Sequence, residues 1–533
     1  MADNSDEPLN DDLIKELEGR GLAVLQKAEK AFGHTALPSK IFAKNIANFL
    51  NDADIACDEL FSKSEFIRLR LDQKFGALYS TQKSHLLEKQ VAEQLRRIAT
   101  TFNSNQRRNY PSSSRHNNKL SDEQKSAIDA ALKNGVTVIT GGPGTGKTTM
   151  VKGLVSALKR HKLSVTLCAP TGKAAKRLGE ATGLMKFNPT TIHMHLSNTS
   201  RSKSHRYDVM ILDECSMIDI ELFHNLLSTI PDGAQLILIG DKNQLPPVGA
   251  GQPFKDIVEL QKIIGRTATK ENEISVKNGI SGITVAAYNV LSGVEPSSAL
   301  TAKDNGFEFI DCPKDEIQSK VLDLYFQSTE DRLNRTSTRL LEKVQILSPQ
   351  KNGSCGISNL NFEIQNFLKS ENLSYQTLNQ SKKFFVNDKV IQNVNNYDLG
   401  VMNGEVGKVT GIVDNELIVT FNGFEKRYGE NELADLDLAY AVSIHKSQGS
   451  EFDTVIIPIS SEHNFILNKS LVYTAITRGK SKVYLIGERN VFRRVILNKT
   501  KGFRYTDLQN QLKLQGLGEH IDVNRLTKVY RQR

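Results

Sequence analysis

The stretch that most constrains the fold is Val138–Met150, Val-Ile-Thr-Gly-Gly-Pro-Gly-Thr-Gly-Lys-Thr-Thr-Met, in which Gly141, Gly146, Lys147 and Thr148 satisfy G-x-x-x-x-G-K-[ST]. The β-branched run Val136–Thr140 before it reads as a buried strand, and Met150–Arg160 after it reads as a helix. That is the strand–loop–helix context a phosphate loop requires. Glycines let the backbone turn tightly and aim its N–H groups at phosphate oxygens, and the helix N-terminus adds positive potential. Gly141, Gly142, Pro143, Gly144, Thr145, Gly146, Lys147, Thr148 and Thr149 are therefore expected to hold ATP, with Lys147 on the β- and γ-phosphates and Thr148 on Mg2+.

The chain has 533 residues, enough for about three or four domains that each bury a core of their own. Its net charge of +9 points to a polyanion partner, or simply to a solvated basic surface. Five cysteines (Cys57, Cys168, Cys215, Cys312, Cys355) are scattered without metal-ligand spacing, which fits structural thiols in a reducing, cytoplasmic setting. Residues 1–20 are acidic and polar, and no uncharged apolar run reaches about eighteen residues, so neither a signal peptide nor a membrane span is expected.

Taken in order, residues 1–103 carry apolar positions at helical spacing, such as Leu13, Leu17, Leu22 and Leu25, and predict a helical N-terminal domain. A polar, basic linker follows at 104–119. Ser121 or Asp122 caps the next helix, whose Gln124 is placed to read adenine. From there short apolar runs at 164–169, 208–213 and 235–240 alternate with helical patterns, which predicts a doubly wound parallel sheet with its ligand at the carboxyl ends of the strands. The strand Val209–Leu212 delivers Asp213, expected on Mg2+, and Glu214, expected to orient and deprotonate the attacking water. The next strand leads into Gly240–Gly249, where Gln244 is the candidate γ-phosphate sensor.

These motifs resemble, in order and spacing, those of superfamily 1 helicases of the RecD type. The resemblance rests on Gly141–Thr149, Cys168–Ala175, Thr191–His193, Asp213–Met217 and Gly240–Gly249. It continues through Ile346–Lys351, Asn387–Val390, Asn403–Gly407, Tyr440–Phe452 and Val472–Arg478, covering about residues 120–510. It implies an α/β fold: a first RecA-like motor domain at 120–300, a second at 301–385 and 436–515, an SH3-like barrel inserted at 386–435, and a C-terminal tail at 516–533. The barrel has support of its own, since Glu416–Phe421 lies between the hairpin signals Asp414-Asn415 and Asn422-Gly423.

By the same resemblance, Arg478 is the catalytic arginine of the second motor domain, and Gly449 and Glu451 join the nucleotide site. Pro170, Thr171, Gly172, Lys173 and His193 in the first domain, with Ser443, His445 and Lys446 in the second, face single-stranded nucleic acid. The implied activity is an ATP- and Mg2+-dependent DNA helicase moving 5′ to 3′ on single-stranded DNA, with tailed duplex DNA as substrate, in repair or recombination. Two alternatives stay open: a subunit that docks into a helicase–nuclease complex, and a nucleic-acid-stimulated ATPase switch with little unwinding. One departure stands out. The family carries an aromatic-Arg-Gln element after Gly249, then a Ser-x-Ile helix. Here Ser281-x-Ile283 recovers the helix, but spacing puts Lys277 where the arginine belongs, and Arg266 is the nearest arginine. Leu526–Arg533 reads like that element displaced to the end of the chain, with Arg531 as its arginine, acting within the molecule or on a neighbour.

Overall fold

The computed structural model describes residues 11–47, 61, 64–72, 76–103, 120–183, 189–201, 207–263, 281–296, 306–330, 343–371, 377–378, 384–414, 416–498, 501–517 and 521–526. Two parallel sheets organise it. The first runs, edge to edge, Ile521–Leu526, Val136–Gly141, Gln235–Gly240, Val209–Leu212, Val165–Ala169 and Thr190–Thr191. Its central strands are buried throughout because both faces are covered. Val136, Val138, Met210, Leu212, Leu236 and Leu238 enter one core, while Ile139, Val209, Ile211, Ile237 and Ile239 enter the other.

The second sheet runs Ala441–Ser443, Val344–Ser348, Phe452–Ile459, Gly479–Gly487 and Phe307–Asp311, again parallel. Between its strands the chain leaves to build a five-stranded antiparallel sheet from Lys389–Gln392, Val406–Val413, Glu416–Phe421, Phe424–Tyr428 and Leu436–Leu438. This is the expected inserted barrel, with its own core of Val390, Val409, Leu417, Val419, Phe421 and Tyr428. Asn422 (φ 48°) and Gly423 (φ 87°) form the two-residue turn that pairs Phe421 with Phe424. Both positions need a left-handed backbone, which Asn-Gly supplies at least cost.

Three placements differ from the sequence reading. The N-terminal region has the helices Asp11–Phe32, Ser39–Ala47 and Gln82–Thr101, but also a hairpin, Ile67–Asp72 with Gly76–Thr81, joined by Leu37–Pro38. Moreover Gln82–Thr101 buries Val91, Ala92, Leu95 and Ile98 in the first motor domain's core, against Phe223 and Leu226. The helix Gly282–Ser292 packs with the second motor core rather than the first, through Ile283, Ala286, Ala287 and Val290 beside Phe307 and Tyr473. And the C-terminal segment is a strand: Ile521–Leu526 lies parallel to Val136–Gly141, with Leu526 opposite Gly141. The open edge of the phosphate-loop strand is what it satisfies. Among the described residues no helix is long and apolar enough to cross a membrane.

Candidate active site and nucleic-acid interface

The phosphate loop takes the shape its glycines permit. Gly144 (φ 65°) and Gly146 (φ 74°) are left-handed, and Gly146 caps the helix Lys147–Arg160. A Cβ at Gly146 would lie 2.5 Å from Gln124 Nε2, so the close approach also demands glycine. Gln124 closes a capping box with Ser121 and donates from Nε2 to the Thr145 carbonyl at 3.0 Å. It therefore braces the loop, and its amide nitrogen is engaged with backbone rather than open for a base. Lys147 Nζ folds onto the carbonyls of Gly141 (2.5 Å) and Gly142 (3.1 Å), and Thr145 Oγ1 donates to the same Gly142 carbonyl at 2.9 Å. Thr148 and Thr149 are exposed at the helix start.

At the end of Val209–Leu212, Asp213 Oδ1 accepts the Glu214 N–H at 2.8 Å. Burial and the adjacent Glu214 charge push the Asp213 carboxyl up to about 6, with Lys147 pulling the other way. Glu214 is held left-handed (φ 53°), an uncommon conformation for a residue with a side chain and a mark of a functional strand end. Mg2+ is tested by this donor set. One hydroxyl and one crowded carboxylate beside a phosphate loop suit a cation that keeps waters and takes its remaining ligands from the nucleotide. No larger cluster of metal-binding side chains occurs among the described residues.

Gln244 is 7 % exposed and its Oε1, an acceptor only, has no hydrogen-bond partner among the described residues. Its loop reaches the second motor domain. Leu245 sits in that domain's core and donates its N–H to Thr474 Oγ1 at 2.9 Å, while Tyr473 Oη donates to Asp241 Oδ2 at 2.7 Å. Tyr473 and Thr474 lie on the helix Lys469–Ile476, which leads to Arg478. Arg478 is buried and turned onto its own domain, donating to the carbonyls of Thr474 and Ser450 and to Thr477 Oγ1, each at 3.2 Å. Gly449 (φ 71°) passes close to Ala174, and Glu451 pairs across the cleft with Arg177 at 2.6 Å. The neighbouring Gln448 Nε2 and Ser450 Oγ are buried and unpartnered among the described residues. Sequence reasoning assigned neither of them a role.

The residues expected on the nucleic-acid strand fall on both sides of the inserted barrel. Thr171 caps the helix Gly172–Thr182 by accepting the Ala174 N–H. Gly172 meets Met402, whose Cβ is 2.8 Å from where a Cβ would stand. Lys173 Nζ donates to the Gly404 carbonyl at 3.1 Å, and burial lowers this lysine to about 8. Lys176 pairs with the buried Glu405 at 2.6 Å. On the other side Lys446 Nζ donates to Asn393 Oδ1 at 2.7 Å, and Ser443 Oγ accepts the Lys446 N–H. The paired backbone of Gln392 with Gly404 and Glu405 thus lies between Lys173 and Lys446. Pro170 follows the strand Val165–Ala169, while His193 and His445 are exposed. Arg266, Lys277 and Arg531 lie outside the described residues.

A phosphate loop, a strand-end carboxylate pair and a sensor loop wired to a second parallel sheet define a P-loop nucleoside triphosphatase with two motor domains. Three family profiles match this chain: an AAA domain over residues 119–279, an ATP-dependent RecD-like DNA helicase SH3 domain over 360–421, and a UvrD-like helicase C-terminal domain over 438–486. The chain is 30% identical over 432 residues to the RecBCD enzyme subunit RecD of Mycolicibacterium smegmatis, covering 74% of this chain and 76% of that one. It is 32% identical over 384 residues to the ATP-dependent RecD2 DNA helicase of Deinococcus radiodurans, covering 70% of this chain but only 50% of that relative's length. Among solved structures, a Pif1 helicase from Candida albicans is similar at 19% identity and a TM-score of 0.42, over 72% of this chain and 98% of that one. The chain belongs to the RecD family of superfamily 1 ATP-dependent DNA helicases.

Proposed function

We propose that the chain hydrolyses ATP at the carboxyl edge of its first sheet to drive 5′ to 3′ movement along single-stranded DNA, unwinding tailed duplexes in repair or recombination. The observation that carries this reading is the pair of hydrogen bonds from the Asp241–Leu245 turn to Tyr473 and Thr474. They support it by joining the loop that carries Gln244 to the helix that leads to Arg478, a route by which a change at the terminal phosphate would be felt by the other motor domain.

Lys147 leaves the two loop carbonyls to hold the β- and γ-phosphates. Glu214 takes the proton of the attacking water, and Gln244 donates an Nε2 N–H to the terminal phosphate while its unpartnered Oε1 accepts from that water. Thr148 and Asp213 would hold Mg2+, which when bound neutralises charge on the phosphates. Arg478 gives up its carbonyl contacts to face the developing charge as the cleft closes. The strand lies on Thr171, Gly172, Lys173 and His193 and then on Ser443, His445 and Lys446, contacts suited to backbone phosphates rather than bases.

The second cation is proposed to come from the C-terminus. Ile521–Leu526 ends opposite Gly141, so the chain leaves the sheet at the edge that carries the phosphate loop. Arg531 follows within about 17 Å of extended chain. Membership of a helicase–nuclease complex is the second reading, favoured by the name of the mycobacterial relative.

The test is strand displacement by the purified chain on 5′-tailed and 3′-tailed duplexes, with Lys147→Ala as control. The proposal predicts ATP-dependent unwinding of the 5′-tailed duplex alone. Unwinding of the 3′-tailed duplex would reverse the polarity, and none by a chain that hydrolyses ATP on DNA would leave the ATPase switch.

A further inference from the structure

One neighbour of the phosphate loop has no part in the site described above. The helix Gly282–Ser292 is anchored in the second motor core, yet its Tyr288 crosses to the first domain's phosphate loop. The Tyr288 hydroxyl stands 2.3 Å from the point a Cβ on Gly142 would occupy, and the Tyr473 hydroxyl stands 3.2 Å from the same point. No side chain fits at position 142 unless Tyr288 moves. The two rings meet edge to face, with centroids 6.4 Å apart and planes at 70°.

The two hydroxyls do different work. Tyr473 Oη is committed to Asp241 Oδ2 at 2.7 Å, deep in the interface. Tyr288 is only partly buried and stands at Gly142, immediately before the Pro143–Thr145 turn. That turn presents the backbone N–H groups which cradle phosphate oxygens in a loop of this kind.

We propose that Tyr288 is a γ-phosphate ligand supplied by the second motor domain, its phenol O–H donating to an oxygen of the terminal phosphate of bound ATP. The inference rests on the reading of Gly141–Thr149 as an ATP site and adds a residue to it. A neutral donor to a charged acceptor makes a strong hydrogen bond that exists with ATP and is absent with ADP. Because Tyr288 rides on a helix fixed in the second core, the contact draws that domain onto the loop while the γ-phosphate is present. Release of phosphate removes the contact and lets the cleft relax.

Tyr288→Phe tests this, since it deletes the hydroxyl and keeps the ring. Affinities for ADP and for the non-hydrolysable analogue AMP-PNP are measured by displacement of fluorescent ADP, and kcat with saturating oligo(dT). The expected result is unchanged ADP affinity, about tenfold weaker AMP-PNP binding and about tenfold lower kcat, the scale of one hydrogen bond to a charged group. An unchanged AMP-PNP to ADP ratio overturns the proposal, whether both affinities stay at the wild-type value or both fall together. If the wild-type chain binds neither nucleotide, or if Lys147→Ala binds both as the wild type does, the ATP site itself is misassigned and the inference falls with it.

Discussion

The two motor sheets share an all-parallel architecture but are threaded differently. The second takes its strands from the stretch Phe307 to Gly487, interrupted among the described residues by the barrel and a short ribbon, Thr377–Leu378 with Phe384–Phe385, between Val344–Ser348 and Ala441–Ser443. The first leaves one edge of its phosphate-loop strand open until the last described residues of the chain return to fill it. An insertion adds a module to a sheet that is already complete, whereas the returning strand completes a sheet that would otherwise have an open edge at its active site. Chain order is therefore the weaker constraint. What fixes a strand's place is the unsatisfied edge and the apolar surface waiting for it.

The return is well secured. Arg504 is buried and donates to three carbonyls of the sensor loop, those of Pro247 (2.5 Å), Gly249 (2.6 Å) and Gly251 (2.7 Å). Burial lowers its guanidinium to about 10, with Asp219 and Asp256 opposing. The Asp507 N–H donates to both oxygens of the buried Glu88, and Glu88 accepts Thr35 Oγ1 at 2.5 Å. N-terminal domain, sensor loop and C-terminal segment thus meet at one seam.

The largest effect is expected from ending the chain at Leu517. That leaves Val136–Gly141 as an open edge and removes Arg531 as well, so ATP turnover should fall at least about 10³-fold with a lower melting temperature, the latter reporting the lost support of the phosphate loop. Wild-type turnover and melting would show that the first sheet is as self-sufficient as the second. Next comes Glu214→Gln, which should still bind ATP but lose roughly 10²-fold in kcat, a general base's contribution. Normal turnover in that variant would move the chemistry away from the first sheet.

The smallest effect concerns Asp256, on the helix Pro253–Ile263 that packs against Leu508–Leu514. Burial, reinforced by the Glu259 charge, pushes its carboxyl up to about 7, and its Oδ2 has no partner among the described residues. A raised acid means that the folded chain holds the proton more tightly than the unfolded one. The stability so gained is present below pH about 4 and is lost as pH rises through about 7. Asp256→Asn should therefore gain stability on the wild type as pH rises from 4 to 7, by about 1 kcal/mol per pH unit. A constant difference in stability across that range would place this carboxyl in an ordinary solvated setting.

What could be read in the sequence was whatever is encoded locally. The phosphate loop, the Asp213–Glu214 strand end and the Asn422-Gly423 turn each carry their chemistry within a few residues, and all three stand where their spacing put them. The hairpin at 67–81 was lost among helical signals, although Ile67, Leu69 and Leu71 alternate with Arg68 and Arg70 as a strand should. Tyr288 and Arg504 had no such signal, because each acquires its meaning from a partner distant in the chain. Lys173 shows the opposite limit. Its place on the motif was legible, but the barrel's Gly404 carbonyl, which it meets in this conformation, was not.

We propose that Arg531, five residues beyond the strand Ile521–Leu526, supplies the second cation at the ATP site. DNA-stimulated ATPase of Arg531→Ala, measured beside Arg266→Ala and Lys277→Ala, tests it most directly. Arg531→Ala is expected to fall about 10³-fold, the lower range for an arginine finger, while the other two retain wild-type turnover. Wild-type turnover in Arg531→Ala, with the loss appearing at Arg266 or Lys277 instead, would contradict it.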